Sequence, residues 1–312
     1  MSAVKSNSMS NVKKKKVNKG RVLFILGCTL LPVIHWLLFY VYVNFSSITM
    51  AFVGPDNKVS LYNFIRLFKE LGNETSSLRI AIRNTVITFG IQMVMFPFSV
   101  LVSYFIYKKI PLFRFYRITF FLPMVLFSVC TTMFFTRIVG ANGFIAQAIG
   151  EWLNLETTPE LLGDSRFANV TVLIHMMWLS FPGDLIIWSG TFARIPEDTL
   201  EAGRVDGTTW WTEFTRIIVP MVWPTVALKM VLLFCGFFGA SGSVFLLTGG
   251  EFGTMTLSSW QYIQLLENSG SYYISHELNY LSAVGLLLTL LSLIISLTVR
   301  GITDKFFTDV EY

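Results

Sequence analysis

The stretch that decides the fold is RIPEDTLEAGRVDGTTWWTEFTRIIVPMVWP, Arg194 to Pro224. It is a polar interruption in a chain that is otherwise mostly compatible with lipid. Pro196 suits a first helical position, and Glu197 and Asp198 put negative charge at the positive end of a helix dipole. A short helix is therefore expected from Pro196 to Asp206, closed by Gly207 in the left-handed conformation. A second short helix, Thr209 to Val219, would carry Trp210, Trp211, Phe214, Ile217 and Ile218, with Pro220 and Pro224 marking re-entry into an apolar span. Two short helices joined by a glycine make a knob of the kind that fits a socket.

Around this stretch the composition is that of an integral membrane protein. Of 312 residues, 53% are hydrophobic and 14% charged, where a soluble domain carries roughly a quarter charged. Mean hydropathy is +0.60. The net charge of +5 speaks for topology, not nucleic acid, because the basic residues flank apolar runs. Cys28, Cys130 and Cys235 sit inside apolar runs and suggest neither a disulfide framework nor a zinc site. His35, His175 and His276 are scattered without metal-ligand spacing.

Six runs are long enough to cross a bilayer as helices: 22–45, 84–107, 117–139, 169–193, 218–247 and 280–300. Pro182 and Asp184 interrupt the fourth, and the fifth is long enough to end in a non-helical approach around Gly239 to Gly250. The expected organisation is a basic tail (1–21), a first span (22–45), a 46–83 loop, a core over 84–300 that includes the 194–220 loop, and a tail over 301–312. The tail has seven Lys and Arg, and the 108–117 loop has Lys108, Lys109, Arg114 and Arg117 without an acid. The loops before the fourth and sixth spans are poor in basic residues. Both termini are therefore expected in the cytoplasm. The 46–83 loop is then external, and its LYNFIRLFKEL segment, Leu61 to Leu71, has the spacing of an interfacial helix. The 194–216 segment is cytoplasmic, yet it is long, mixed in charge and aromatic, which suits docking better than plain connection.

Inside the spans, Asp184 and Lys229 are ionisable and so candidates to pair with each other or face a path, unless a span boundary is misplaced. The run Cys235 to Ser243 combines small residues, hydroxyls and aromatics; Gly239, Ser241 and Ser243 suit either tight helix packing or the lining of a polar solute's path.

The order Glu201-Ala202-Gly203, three residues, Gly207, nine residues, then Ile217-Ile218-Val219-Pro220 resembles the EAA loop of bacterial ABC importer permeases. Gly203 stands for the pattern's second Ala and Val219 for its Leu, and Asp206 before Gly207 also fits. Trp178 to Pro182, Ile195 to Asp198, Leu247 to Gly250, Asn279 to Ala283, Phe52 to Phe64 and Asn84-Thr85 are similar to carbohydrate permeases of the maltose-transporter class. The chain departs from that class at Glu251-Phe252, where Gly-Pro is usual, and over 262–277.

The resemblance implies an all-α polytopic fold, with six transmembrane helices of the type I ABC importer permease architecture and a cytoplasmic coupling helix. Glu201, Ala202, Gly203, Asp206 and Gly207 would then meet an ATPase, and Trp178, Ser180 and Gly183 would face the same cavity as Asp184 and Lys229. No phosphate-binding G-x-x-x-x-G-K-[ST] loop occurs in the chain, so ATP and Mg would belong to a partner and this chain would be non-catalytic. The implied partners are a second homologous permease, two cytosolic ATPase subunits, an extracellular or periplasmic solute-binding protein and membrane lipid. The implied location is the bacterial cell membrane, and the implied cargo an oligosaccharide or glycoside. A permease for a non-sugar solute is the first alternative. An ATP-independent secondary transporter is the second, but the inverted repeat it needs is not apparent.

Overall fold

The computed structural model describes residues 19–154, 157–239, 242–268 and 274–306. Most of the basic tail, Ser241 and the far C-terminus lie outside the described residues. The described chain is helical: α1 (Lys19–Trp36), α2 (Val43–Ala51), α3 (Tyr62–Gly72), α4 (Ser77–Tyr107), α5 (Phe113–Val125), α6 (Ser128–Val139), α7 (Phe144–Trp152), α8 (Ala168–Phe192), α9 (Glu197–Val205), α10 (Trp210–Glu213), α11 (Val219–Cys235), α12 (Gly242–Thr248), α13 (Leu257–Asn268) and α14 (Ile274–Phe306). Among the described residues six helical stretches are long and apolar enough to cross a membrane: Leu23–Ala51, Ser77–Tyr107, Ser128–Trp152, Ala168–Phe192, Trp210–Cys235 and His276–Lys305.

Several boundaries differ from the sequence expectation, each for a local reason. The first span runs on to Ala51 because a wide π-turn, Leu37–Tyr42, joins α1 to α2 without a break. The second begins at Ser77, seven residues earlier than expected, because the Ser76 hydroxyl caps it by accepting from Leu78 N at 3.3 Å. The expected 117–139 span is broken. Pro123 gives no N–H to its own helix, α5 ends at Val125, and Leu126 and Phe127 are extended before α6 restarts. The apolar stretch instead joins α6 to α7 across the turn at Gly140 to Gly143. Pro182 leaves α8 intact, as proline does where neighbouring helices support it.

The second short helix also differs. α10 is one turn, capped by Thr209, and passes through a π-turn, Phe214–Ile218, straight into α11. Pro220 has no N–H for the carbonyl of Arg216, and the wider turn absorbs that loss, so proline does not end the helix. At the far end α11 stops at Cys235, and Phe237 packs on Phe89 with ring centroids 4.3 Å apart. A new helix, α12, occupies much of the region expected to be non-helical.

Two buried clusters flank the centre. One gathers α3, α4, α13 and α14 through Leu67, Leu78, Trp260 and Tyr280. Here α3 packs Asn63 and Leu67 onto protein and leaves Tyr62, Ile65 and Phe68 exposed, and Arg66 lies over the Tyr280 ring at 4.1 Å while bonding Glu70 and Glu277. Burial opposes its charge, yet the two carboxylates win and raise the Arg66 pKa. Asn84 ties this end together by donating to the carbonyls of Gly253 and Met255 and accepting from Asn169. The other cluster joins α4, α8 and α9 to the α10–α11 rod through Tyr104, Trp188, Phe192, Leu200 and Ile218.

Candidate functional site: an exposed loop helix and a central cavity

α9 begins at Glu197, with Pro196 extended as its N-cap and Glu197 and Asp198 in its first turn. Its end is closed at Asp206, followed by Gly207 at φ +72°, which only glycine adopts without strain. Ile195, Leu200 and Gly203 turn inward; Glu201, Ala202, Asp206 and Gly207 are exposed. Val205 is 87% exposed. Helical spacing explains the split, because Leu200 and Gly203 are three residues apart on one face while 201, 202 and 205 share the other.

Gly203 corrects an expectation. A Cβ placed there would come within 2.8 Å of Ile217 Cδ1 and 3.3 Å of Thr208 Oγ1. Its smallness therefore lets α9 lie on the α10–α11 rod and is not presented outward. Thr208 completes the joint by donating its hydroxyl to Gly203 O at 2.8 Å.

The loop is fastened to α4 by a buried polar group that sequence reasoning missed. Lys108 Nζ reaches both oxygens of Glu213, and Tyr104 donates to the same carboxylate. The missing signal was spatial, since the partners are more than a hundred positions apart. One step further along α4, Trp188 Nε1 donates to Ser99 Oγ at 3.1 Å.

Between α4, α8 and α11 lies a cavity of about 300 Å³. Of the residues expected to face a path, Ser180, Asp184 and Lys229 line it, and Lys229 Nζ lies 2.6 Å from Asp184 Oδ1. Trp178 does not; it packs with Phe135 and His175 on another side of α8. Residues 173, 176, 177, 180 and 184 form one helical stripe, and 178 falls off it. Gly183 is outside the lining, Gly239 sits in the turn after α11, and Ser243 is buried in the first turn of α12. Thr88 and Gln92 on α4 also line the cavity. Gln92 was findable, being an amide inside an apolar span.

Six candidate spans, an exposed loop helix and a cavity between three of the spans fit a permease. Residues 22–308 match the family described as "Binding-protein-dependent transport system inner membrane component", and the chain belongs to it. It is a multi-pass inner-membrane permease subunit of a binding-protein-dependent ABC importer, non-catalytic and without a cofactor of its own.

Among curated relatives, the multiple sugar-binding transport system permease protein MsmF of Streptococcus mutans is 23% identical over 273 residues, 86% of this chain and 87% of that one. The maltose/maltodextrin permease protein MalF of Vibrio parahaemolyticus is 32% identical over 122 residues, 37% of this chain and 23% of the relative. The fold matches the crystal structure of a bacterial ABC transporter that imports the acidic polysaccharide alginate. The TM-score is 0.76 at 21% identity, covering 93% of this chain and 98% of that one.

Proposed function

We propose that this permease forms half of the transmembrane path for a carbohydrate, an oligosaccharide or glycoside handed over by an extracellular binding protein. The second half comes from a homologous permease, and two cytosolic ATPase subunits drive the cycle. Both termini and α9 face the cytoplasm, in line with the basic residues of the N-terminal tail and the 108–117 loop. In this reading α9 is the coupling helix. Glu201, Ala202, Asp206 and Gly207 meet the ATPase, and Gly203 sets how closely α9 seats on its own permease.

The observation that carries the coupling role is the geometry of α9: charged and open on one face, locked by Leu200 and Gly203 on the other. Such a helix can receive a push without detaching. The carbohydrate assignment is supported by relatives named for multiple sugars, maltodextrins and galactooligosaccharides. The cavity adds hydroxyl and amide groups from Thr88, Gln92 and Ser180 among apolar walls.

The test is to reconstitute the assembled complex in liposomes and follow uptake of labelled oligosaccharide with ATP on the α9 side. ATP-dependent uptake that needs the binding protein is expected. Solute movement by the lone chain without ATP would overturn the reading.

A further inference from the structure

The central cavity has one acid and one base in its lining, Asp184 from α8 and Lys229 from α11. They meet at 2.6 Å and are each about three-quarters shielded. An ion pair inside a membrane span is costly to desolvate and rarely placed without a role. Here it neutralises itself: the carboxylate already holds the ammonium, and the rest of the lining offers no second cation. Met95, Met176 and Met177 supply adaptable apolar wall beside it.

Such a pair is chemically two-faced. The carboxylate only accepts hydrogen bonds and the ammonium only donates them. Two neighbouring hydroxyls on one ring can use both, one donating to Asp184 and the other accepting from Lys229. A solute carboxylate would instead meet Asp184 as a like charge and find Lys229 engaged. The fold leaves this choice open, since a similar fold belongs to an importer of an acidic polysaccharide.

We propose that Asp184 and Lys229 set the charge selectivity of this wall, admitting uncharged polyhydroxylated solutes and excluding acidic ones. The proposal rests on the reading of the cavity as part of the substrate path. It goes further by giving the two residues a joint role that neither a plain structural pair nor a single substrate contact would have.

The experiment measures equilibrium binding of a neutral oligosaccharide and its uronate counterpart to the purified importer without binding protein. The importer carries the wild-type chain, Asp184→Asn or the reversal Asp184→Lys with Lys229→Asp. Wild type is expected to favour the neutral sugar at least tenfold. Asp184→Asn leaves Lys229 free, so neutral binding weakens, acidic binding strengthens, and the ratio shifts about tenfold. The reversal keeps the wild-type ratio. If Asp184→Asn lowers both affinities equally, the pair is only structural and the proposal falls. Tighter binding of the acidic sugar by wild type sinks this proposal while leaving carbohydrate import standing. A complex that neither binds nor imports any saccharide sinks both.

Discussion

Glu213 takes the Lys108 ammonium on both carboxylate oxygens, at 2.7 and 2.8 Å, and the Tyr104 hydroxyl at 3.3 Å. Lys108 and Tyr104 lie at the end of α4, whose middle carries Thr88, Gln92 and Met95 into the cavity. Sixteen residues separate Gln92 from Lys108, about 24 Å along a helix. One helix, continuous through Pro97, therefore connects the loop that carries α9 to the cavity wall.

This linkage predicts uncoupling. Glu213→Gln keeps the shape of the joint and weakens its grip. ATP hydrolysis by the reconstituted importer should persist while solute moved per ATP falls several-fold. Lys108→Met leaves the Glu213 carboxylate buried and without its cation, which should destabilise the chain by about 3 kcal/mol, seen as a lower unfolding midpoint. Reversing both charges should recover much of each loss. An unchanged transport-to-hydrolysis ratio in Glu213→Gln would remove α4 from the coupling route.

Gly203 predicts a size series. A methyl at this position meets the tip of Ile217, which can rotate aside, and alanine favours a helix by up to about 1 kcal/mol over glycine. Gly203→Ala should therefore be near neutral in stability and transport. Gly203→Leu cannot fit beneath Ile217 and Thr208, and should lift α9 and cut ATP-driven uptake at least tenfold. Full activity in the leucine variant would mean that α9 is not seated as described.

The resemblance explains why so much of the loop was legible in sequence. The loop also encodes backbone requirements locally, an acidic first turn in Glu197 and Asp198 and a left-handed glycine, and Gly207 at φ +72° meets the second of these directly. Span existence was legible for a related reason, because length and hydropathy are local quantities. Helix ends were harder. Ser76 starts α4 early by one hydroxyl, and Pro220 fails to stop a helix because a π-turn absorbs it. Side-chain direction was harder still: Trp178 and Ser180 are two residues apart, yet only Ser180 reaches the cavity. Glu213 read as one acid among five in the loop, since nothing nearby in sequence names Lys108.

Val205 predicts where an ATPase partner would meet α9. It is an apolar side chain left open to solvent beside Glu201 and Ala202. Its burial against a partner would release about 1.5–3 kcal/mol, so Val205→Asp should weaken assembly with the ATPase by tenfold or more, measured by co-purification at dilution. Glu201→Lys with Gly207→Val should abolish solute-stimulated hydrolysis while the chain still inserts. Normal assembly and hydrolysis in both variants would place the ATPase elsewhere.

Topology predicts opposite labelling at two loops. Arg204 lies on α9, and Asp56 sits in the turn between α2 and α3 where Val53 and Val59 pair. With Cys28, Cys130 and Cys235 replaced, a single cysteine at 56 should react with a membrane-impermeant maleimide added to whole cells. One at 204 should react only after the membrane is opened, and should crosslink to the ATPase in membranes. The basic residues of the 108–117 loop and their scarcity before the fourth and sixth spans favour this orientation. Lys58, Arg66, Lys69, Arg79 and Arg83 pull the other way. Arg66 is held by Glu70 and Glu277, and Arg79 lies 3.4 Å from Glu74. The seven Lys and Arg of the N-terminal tail and the four of the 108–117 loop outnumber these five, so the labelling should follow the larger count. Reaction at 204 in sealed cells would invert the protein and separate α9 from any cytosolic ATPase.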